Sequence, residues 1–187
     1  EIERYTDASV VYFDKRASRS LHVPIKNENS KKIFDVAFIG SYERERAETL
    51  YALATAGIRI EIWGNGWSRN RYKHPNLNIH YKDVIGEEYA RVIRKSKIVL
   101  GFLRKANDDT QTSRTFEITA CGTFALLEKT QDHLRLYKEG VEIDCFESEP
   151  ELILKIQKYL ANNPLREEIA HRGYLRVLKE GYYFDVL

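Results

Sequence analysis

The chain lacks several features that would assign it to common protein classes. It contains no methionine and only two cysteines, Cys121 and Cys145, which have neither a CxxC nor a Cys/His metal spacing. No apolar run approaches the roughly 20 residues of a transmembrane helix, and no signal peptide heads the sequence. We therefore expect no disulfide framework, no metal site, no transmembrane segment, and a reducing, cytoplasmic location. Because Glu1 stands where an initiator methionine would, we expect a piece of a longer protein.

Phosphate-binding fingerprints and a strong charge imbalance are also missing. The chain has no G-x-G-x-x-G and no G-x-x-x-x-G-K-[ST] sequence, which removes the best evidence for a dehydrogenase or a P-loop nucleotidase. A net charge of +2 over 187 residues gives no reason to expect nucleic acid as a partner. The hydrophobic fraction of 43% and the charged fraction of 31% are ordinary for one folded domain with a real core.

A regular alternation of strand and helix patterns runs from residue 33 to the end. Apolar or alternating runs predict strands at 33–40, 58–64, 76–81, 97–103, 122–128 and 142–146. Helical patterns separate them at 43–57, 86–96, 113–121 and near 131–138, and two last helices begin at the capping box of Ser148 and at Asn163-Pro164. This order predicts a Rossmann-like α/β domain, with a mostly parallel sheet and helices on both faces.

The first 32 residues do not follow this alternation. The run "SVVYF" at 9–13 predicts a strand, and the polar, basic stretch after it has neither helical nor strand periodicity. We interpret residues 1–32 as a linker or the remnant of a preceding domain, and residues 33–187 as a ligand-binding domain.

The loop after the first predicted strand, "IGSYERER", is a candidate ligand loop, because ligands of such sheets bind at the carboxyl ends of the strands. Gly40 and Ser41 would let the backbone approach a ligand closely. Arg44 and Arg46 stand at a helix start, which favours acids, so their presence suits a phosphate in front of them. The alternative is an exposed helix whose arginines are balanced by neighbouring glutamates.

Two further loops at the same edge offer weaker signals. In "WGNGW" (63–67), Gly64, Asn65 and Gly66 form either a turn between packed tryptophans or a loop that closes over a ligand. In "YKDVIGEE" (81–88), Val84 and Ile85 could support a nucleobase through their side chains and backbone.

The fourth loop, "NDDTQTSRTFEITACG", carries the densest set of candidates. Thr112 or Ser113 can cap the helix that follows and Arg114 lies in its first turn, a combination that suits a diphosphate. Glu117 lies one turn further on, where a carboxylate can accept both hydroxyls of a ribose. Asp109, eight positions before Glu117, could contact another part of an elongated ligand. The alternative for Glu117 is a solvated helix surface.

Four stretches together carry a resemblance to a known family. They are "DVAFIGSYERER", "GIRIEIWGNGW", "SRTFEITACGTFALLE" and "EGVEIDCFESEPELILKIQKYLANNPLREEIAHRG". The combination resembles the carboxyl-terminal half of the CgeB-like spore-maturation proteins, a branch of the nucleotide-sugar glycosyltransferases with the two-Rossmann-domain (GT-B) architecture, over residues 33–187. The resemblance implies the donor-binding half of an enzyme that transfers a sugar from a nucleotide-diphosphate sugar to an acceptor, without a metal or other cofactor.

The resemblance also implies roles for individual residues. In the wider group, the second glutamate of a Glu-x7-Glu motif holds the donor ribose and falls on Glu117. The first contacts the transferred sugar and falls on Asp109, an aspartate here. No lysine matches the family's diphosphate lysine, so Arg44, Arg46 and Arg114 are the candidates for the diphosphate. The acceptor site would belong to a missing amino-terminal domain of the same protein, so we expect this chain alone to bind a nucleotide diphosphate and to transfer no sugar.

One other function class remains as an alternative, and a second lacks the residues that it needs. A Rossmann-like domain that has lost catalysis could bind nucleotides or serve as a scaffold, and the replacement at Asp109 is compatible with that. A phosphoacceptor signalling domain would need an aspartate at the end of a central strand, and "LGFLRK" (100–105) does not provide one.

Overall fold

The computed structural model describes residues 16–24, 31–104 and 110–180. Within these ranges, strands alternate with helices as the sequence patterns predict. The strands are β1 (Phe34–Ile39), β2 (Ile60–Trp63), β3 (Leu77–Ile79), β4 (Ser96–Gly101), β5 (Phe124–Glu128) and β6 (Asp144–Phe146). The helices are α1 (Arg44–Thr55), α2 (Gly86–Lys95), α3 (Arg114–Ala120), α4 (Gln131–Leu136), α5 (Glu149–Ala161) and α6 (Asn163–Glu180), and a single 3-10 turn spans Trp67–Arg69. The strand predicted at 9–13 lies outside the described residues.

The strands form one parallel sheet in the order β3-β2-β1-β4-β5-β6. This order confirms the predicted Rossmann-like fold. Its two central strands, β1 and β4, are paired in the register Val36↔Ile98, and both strands are largely apolar because helices cover both faces of the sheet. The strand order reverses between β1 and β4, so the crevice for a ligand opens beyond the carboxyl ends of these two strands.

Two apolar cores lie on opposite faces of the sheet. On one face, α1 and α5 pack against the sheet through residues such as Leu50 and Ile156. On the other face, α2 and α3 pack through Ile93 and Ile118. Burial of each such side chain contributes about 1.5–3 kcal/mol. Different helices therefore lie beside the carboxyl ends of the strands on the two faces of the sheet: α1 and α5 on one face, α2 and α3 on the other.

The predicted helix signals at Gly57 and Ser148 are confirmed. After α1, Gly57 adopts φ +87°, a left-handed conformation that ends the helix. At the start of α5, the Ser148 hydroxyl accepts the Glu151 N–H at 3.4 Å, and the Glu151 carboxylate accepts the Glu147 N–H at 2.9 Å. The first contact is the side-chain cap that the sequence predicted, whereas the Glu151 carboxylate accepts the N–H of the residue before the cap and not that of Ser148.

Residues 16–24, which the sequence pattern assigned to a linker, pack on the α2 and α3 face. Ala17 is fully buried in the core there. The Arg94 guanidinium on α2 donates to the carbonyl oxygens of Leu21 and Val23 at 3.2 and 3.4 Å. This segment and the domain therefore form one packed body. None of the helices in the described ranges is long and apolar enough to span a bilayer.

Candidate functional site

The turn after β1 is held in place by the loop after β2. The Gly40 N–H donates to the Trp63 carbonyl at 2.9 Å, and the Tyr42 N–H donates to the Asn65 carbonyl at 2.8 Å. The indole N–H of Trp67 donates to the Gly40 carbonyl at 2.8 Å. The two loops at this edge are therefore one hydrogen-bonded unit.

The glycines of "WGNGW" serve this contact. Gly64 has φ +136°, and a Cβ there would lie 2.1 Å from the Gly40 carbonyl oxygen. Gly66 has φ +80°, in the left-handed region. Both tryptophans are buried and Asn65 is exposed. The stretch is thus a turn between packed aromatic rings that supports the β1 turn.

The two arginines of α1 have different environments. The Arg44 side chain is 83% exposed and pairs with Glu48 at 2.9 Å. Arg46 is buried and donates to the carbonyl oxygens of Ser41 and Leu103 at 3.3 and 2.8 Å. Arg46 therefore ties the turn after β1 to the segment after β4, directly at the switch point of the sheet.

Three arginines converge near this point: Arg46, Arg104 and Arg114. Burial lowers the pKa of Arg46; the carboxylate of Glu43 opposes that shift, and the charges of Arg114 and Arg104 add to it. Glu43 lies 3.2 Å from Arg46 and 3.6 Å from Arg104, so two guanidiniums share one carboxylate oxygen. The buried Nε of Arg114 has no hydrogen-bond partner among the described residues. Three guanidiniums therefore act near the switch point, and that of Arg114 belongs to its α3 side.

The α1 and α5 side of the same point is acidic. A cleft of about 190 Å³ opens there beside Arg46. Its lining includes five carboxylates, those of Glu43, Glu45, Glu128, Glu147 and Glu149. An anion entering this cleft would therefore meet more carboxylates than guanidiniums, although Glu43 pairs with Arg46 and Glu147 pairs with Lys129.

Helix α3 begins at Arg114, with Ser113 in the N-cap position. The Ser113 side chain makes no capping hydrogen bond, although its carbonyl accepts the Glu117 N–H at 3.0 Å. Ser113 thus marks the helix start that the sequence predicted, but the side-chain cap is not formed.

Glu117 is half-buried and already has a partner. The Tyr89 hydroxyl on α2 donates to Glu117 Oε2 at 2.6 Å. Burial and the Glu117 charge raise the pKa of Tyr89, so its hydroxyl stays protonated and keeps donating. No sequence pattern indicated Tyr89, because 28 positions separate it from Glu117.

The loop before α2 presents one of its two predicted base-contacting residues. Val84 is 6% exposed and packs into the core, whereas Ile85 is 82% exposed. Tyr81, four residues earlier, is also exposed and has φ +52°. Only Ile85 of the predicted pair therefore offers its side chain to a ligand. Asp109 lies outside the described residues.

A buried histidine that the sequence analysis did not single out links α4 to the first turn of α3. His133 Nδ1 lies 2.8 Å from the Glu128 carbonyl, and its Nε2 lies 3.0 Å from the Thr115 hydroxyl. Burial lowers the pKa of His133, so the ring is neutral, donates from Nδ1 to the carbonyl and accepts from Thr115 at Nε2. The Glu128 carboxylate in turn accepts the Leu103 N–H at 2.9 Å. These bonds fix the turn of α3 that carries Arg114.

Metal-binding geometry is missing from the described ranges: no group of three or more His, Cys, Asp or Glu side chains there is arranged to hold an ion.

Comparisons with known proteins bear on the family and the fold of the chain. The sequence model of a family described as "Glycosyl transferase-like" matches residues 44–185. No curated protein sequence matches the chain.

Solved glycosyltransferase structures share the fold. The C-terminal domain of a glycosyl transferase group 1 family protein (LpcC) from Francisella tularensis is 11% identical, with a TM-score of 0.70 over 89% of this chain and 99% of that one. Sucrose-phosphate synthase from Thermosynechococcus elongatus is 16% identical, with a TM-score of 0.74 over 98% of this chain and 52% of that one. A variant of TarM from S. aureus, in complex with fondaparinux, alpha-GlcNAc-glycerol and UDP, is 12% identical, with a TM-score of 0.64 over 96% and 38%. The chain thus spans about half or less of the length of the latter two proteins.

Proposed function

The chain belongs to the glycosyl transferase-like family, and we propose that it binds the donor, a nucleotide-diphosphate sugar, for a glycosyltransferase reaction. The observation that carries this proposal is the set of arginines at the switch point, where Arg46 and Arg104 share the Glu43 carboxylate and Arg114 begins α3, with Glu117 one helical turn further on. Positive charge and a fixed carboxylate at one sheet edge match the two polar parts of a nucleotide diphosphate, the phosphates and the ribose.

The diphosphate is assigned to the α3 side of the switch point. Arg114 is the main candidate because its buried Nε has no partner among the described residues, whereas Arg46, whose Nε also lacks one, donates its other N–H groups to the Ser41 and Leu103 carbonyls. Arg104 adds a second charge, and Arg46 acts by holding the Gly40 and Ser41 turn close to it. Arg44 is the weaker candidate, since its exposed guanidinium already pairs with Glu48. The acidic cleft beside α1 and α5 disfavours the opposite side.

The chemistry of the transfer explains why such charge is useful. As the bond between the anomeric carbon and the diphosphate oxygen breaks, negative charge develops on the leaving diphosphate. Guanidiniums fixed in a partly buried site stabilise that charge more strongly in the transition state than in the bound donor, and this lowers the barrier. We propose that arginines carry this role without a metal ion.

The ribose is assigned to Glu117. The Tyr89 hydroxyl occupies one position on Oε2, and an ionised carboxylate offers about four lone-pair sites, so acceptor capacity remains for ribose hydroxyls. The exposed side chain of Ile85 is the candidate surface for the base. A contact between Asp109 and the transferred sugar stays a prediction.

Calorimetric titration of the chain with UDP, GDP, dTDP and ADP tests the proposal. We expect one of them to bind, and Arg114→Ala to weaken binding about 10- to 150-fold, because charge-assisted hydrogen bonds contribute about 1.5–3 kcal/mol. The matched control, Arg172→Ala, removes an exposed arginine that pairs with Glu168 on α6 and should change the dissociation constant less than about twofold, as expected of an exposed charge. Equal losses in both variants would contradict the assignment of Arg114. Absence of binding to every nucleotide would favour the scaffold alternative.

Three finer points extend the proposal. The pattern of the last two helices supports the CgeB-like branch of the family. The two cysteines are free, buried thiols, which suits the reducing cytoplasm. The acceptor is unknown and its site is assigned to an amino-terminal domain of the same protein, so sugar transfer by this chain alone would contradict that division of roles.

A further inference from the structure

The contact between Tyr89 and Glu117 joins the first turns of two helices at the ligand edge. Tyr89 is the fourth residue of α2, and Glu117 is the fourth residue of α3. Their oxygen atoms are 2.6 Å apart, within the range of charge-assisted O–H···O⁻ bonds. The pair therefore lies where the proposed function puts the donor ribose.

We propose that Tyr89 is a positioning residue for the donor site: its hydroxyl holds one oxygen of Glu117 so that the other is presented to the ribose hydroxyls. This inference rests on the proposed function. A glutamate has three rotatable side-chain torsions, and a free carboxylate would lose that freedom when the nucleotide binds. The bond to Tyr89 restricts these torsions before the ligand arrives, which is how preorganisation increases affinity.

The Tyr89 ring is itself held by the segment at 16–24. The His22 ring lies edge-on to it, with centroids 6.0 Å apart and an angle of 80° between the planes. His22 Nδ1 accepts the Ser18 N–H at 3.0 Å, which fixes the imidazole. The guanidinium of Arg94 anchors the same segment through the carbonyl of Leu21. The Tyr89 ring is thus also restrained by the segment at 16–24, as a positioning residue requires.

A second tyrosine provides a matched control. The Tyr137 hydroxyl also reaches α3, where it lies 3.0 Å from the Thr119 hydroxyl, and both residues are buried. Removing the Tyr137 hydroxyl takes one hydrogen bond away from the same helix without touching Glu117. An effect shared by Tyr89→Phe and Tyr137→Phe is therefore a general effect on α3, and a difference between them reports on the carboxylate.

The experiment compares two ligands in each variant of the full chain. Dissociation constants are measured by calorimetry for the nucleoside diphosphate that binds best and for its 2′,3′-dideoxy analogue, which lacks the hydroxyls. We expect Tyr89→Phe to raise the dissociation constant of the ribose nucleotide about two- to tenfold, which is the range for one side chain that must be immobilised on binding. The dissociation constant of the dideoxy analogue should not change. Tyr137→Phe should leave the ratio of the two constants at the wild-type value.

The outcomes distinguish a failure of the Tyr89 proposal from a failure of the proposed function of Glu117. If Glu117→Gln abolishes the preference for the ribose nucleotide and Tyr89→Phe does not reduce it, Glu117 binds the ribose and the positioning role of Tyr89 is wrong. If Tyr89→Phe weakens both ligands equally, Tyr89 supports α3 in general and the inference is also wrong. If Glu117→Gln leaves the preference intact, or no nucleotide binds, the proposed function of Glu117 fails and the inference fails with it.

Discussion

The indole N–H of Trp67 offers a sharp test of how the β1 turn is held. Trp67 is 1% exposed and donates to the carbonyl of Gly40, itself a buried residue, at 2.8 Å. Its ring also contacts Phe38 and Tyr42 edge-on, with centroids 6.1 and 5.4 Å apart. Trp67→Phe keeps an aromatic ring in this place but removes the donor.

The expected loss of stability has two parts. Phenylalanine is smaller than tryptophan, so packing contacts are lost around the missing five-membered ring. In addition, the Gly40 carbonyl is left buried without its partner, which costs about 1–3 kcal/mol. Trp63→Phe is the matched control, because Trp63 is also buried, at 3% exposure, and its ring stacks on His80 with centroids 4.2 Å apart. Both substitutions remove the same atoms from a buried site, so the difference between them combines the hydrogen bond with a smaller difference in packing.

Urea unfolding followed by far-ultraviolet circular dichroism gives the free energies without depending on the fluorescence of either tryptophan. We expect Trp67→Phe to be less stable than Trp63→Phe by about 1–3 kcal/mol, or roughly 2–12 °C in melting temperature for a chain of this size. If Trp67→Phe is equally stable or more stable than the control, the bond to Gly40 does not hold the turn.

Two further predictions concern backbone strain and pH. Gly64→Ala should cost more than about 1–3 kcal/mol in unfolding free energy, since φ +136° strains any other residue and the new Cβ would lie 2.1 Å from the Gly40 carbonyl oxygen. In the same denaturation assay Gly57→Ala, at φ +87° with nothing within 4 Å, should cost less, and the reverse order would contradict the clash. Burial lowers the pKa of His22 and His133, so the unfolded chain takes up their protons first and stability falls as the pH drops below 6.5. The unfolding free energy changes by at most about 1.4 kcal/mol per pH unit for each histidine. The urea midpoints measured at pH 7.5 and 5.5 should therefore differ less for His133→Gln than for the wild type. An unchanged difference would show that His133 does not contribute.

The fold followed from the sequence because its signals are local. The run "KIVLGFL" predicted a buried strand at 97–103, and β4 occupies Ser96–Gly101 in the centre of the sheet. Apolar runs of this kind, separated by helical periods, leave few arrangements other than a parallel sheet. The strand-end loops were located for the same reason, since each begins where an apolar run stops.

Side-chain contacts within the site could not be predicted in the same way. Sequence position put Arg46 at the ligand edge, but it did not indicate that the side chain donates to the Ser41 and Leu103 carbonyls. Val84 and Ile85 are neighbours, yet one is buried and the other is exposed. Which way a side chain turns depends on elements that meet it only after folding, as α2 meets α3.

The packing of residues 16–24 on α2 and α3 determines where a chimeric protein containing this domain can be joined. The repeating strand–helix pattern begins at residue 33, and a chimera joined there would separate α2 from the segment that covers it. The guanidinium of Arg94, which is 6% exposed, would lose the carbonyls of Leu21 and Val23, and the cavity filled by Ala17 would open. A transplanted domain that keeps its ligand edge intact therefore has to carry the chain from residue 16, upstream of its first strand.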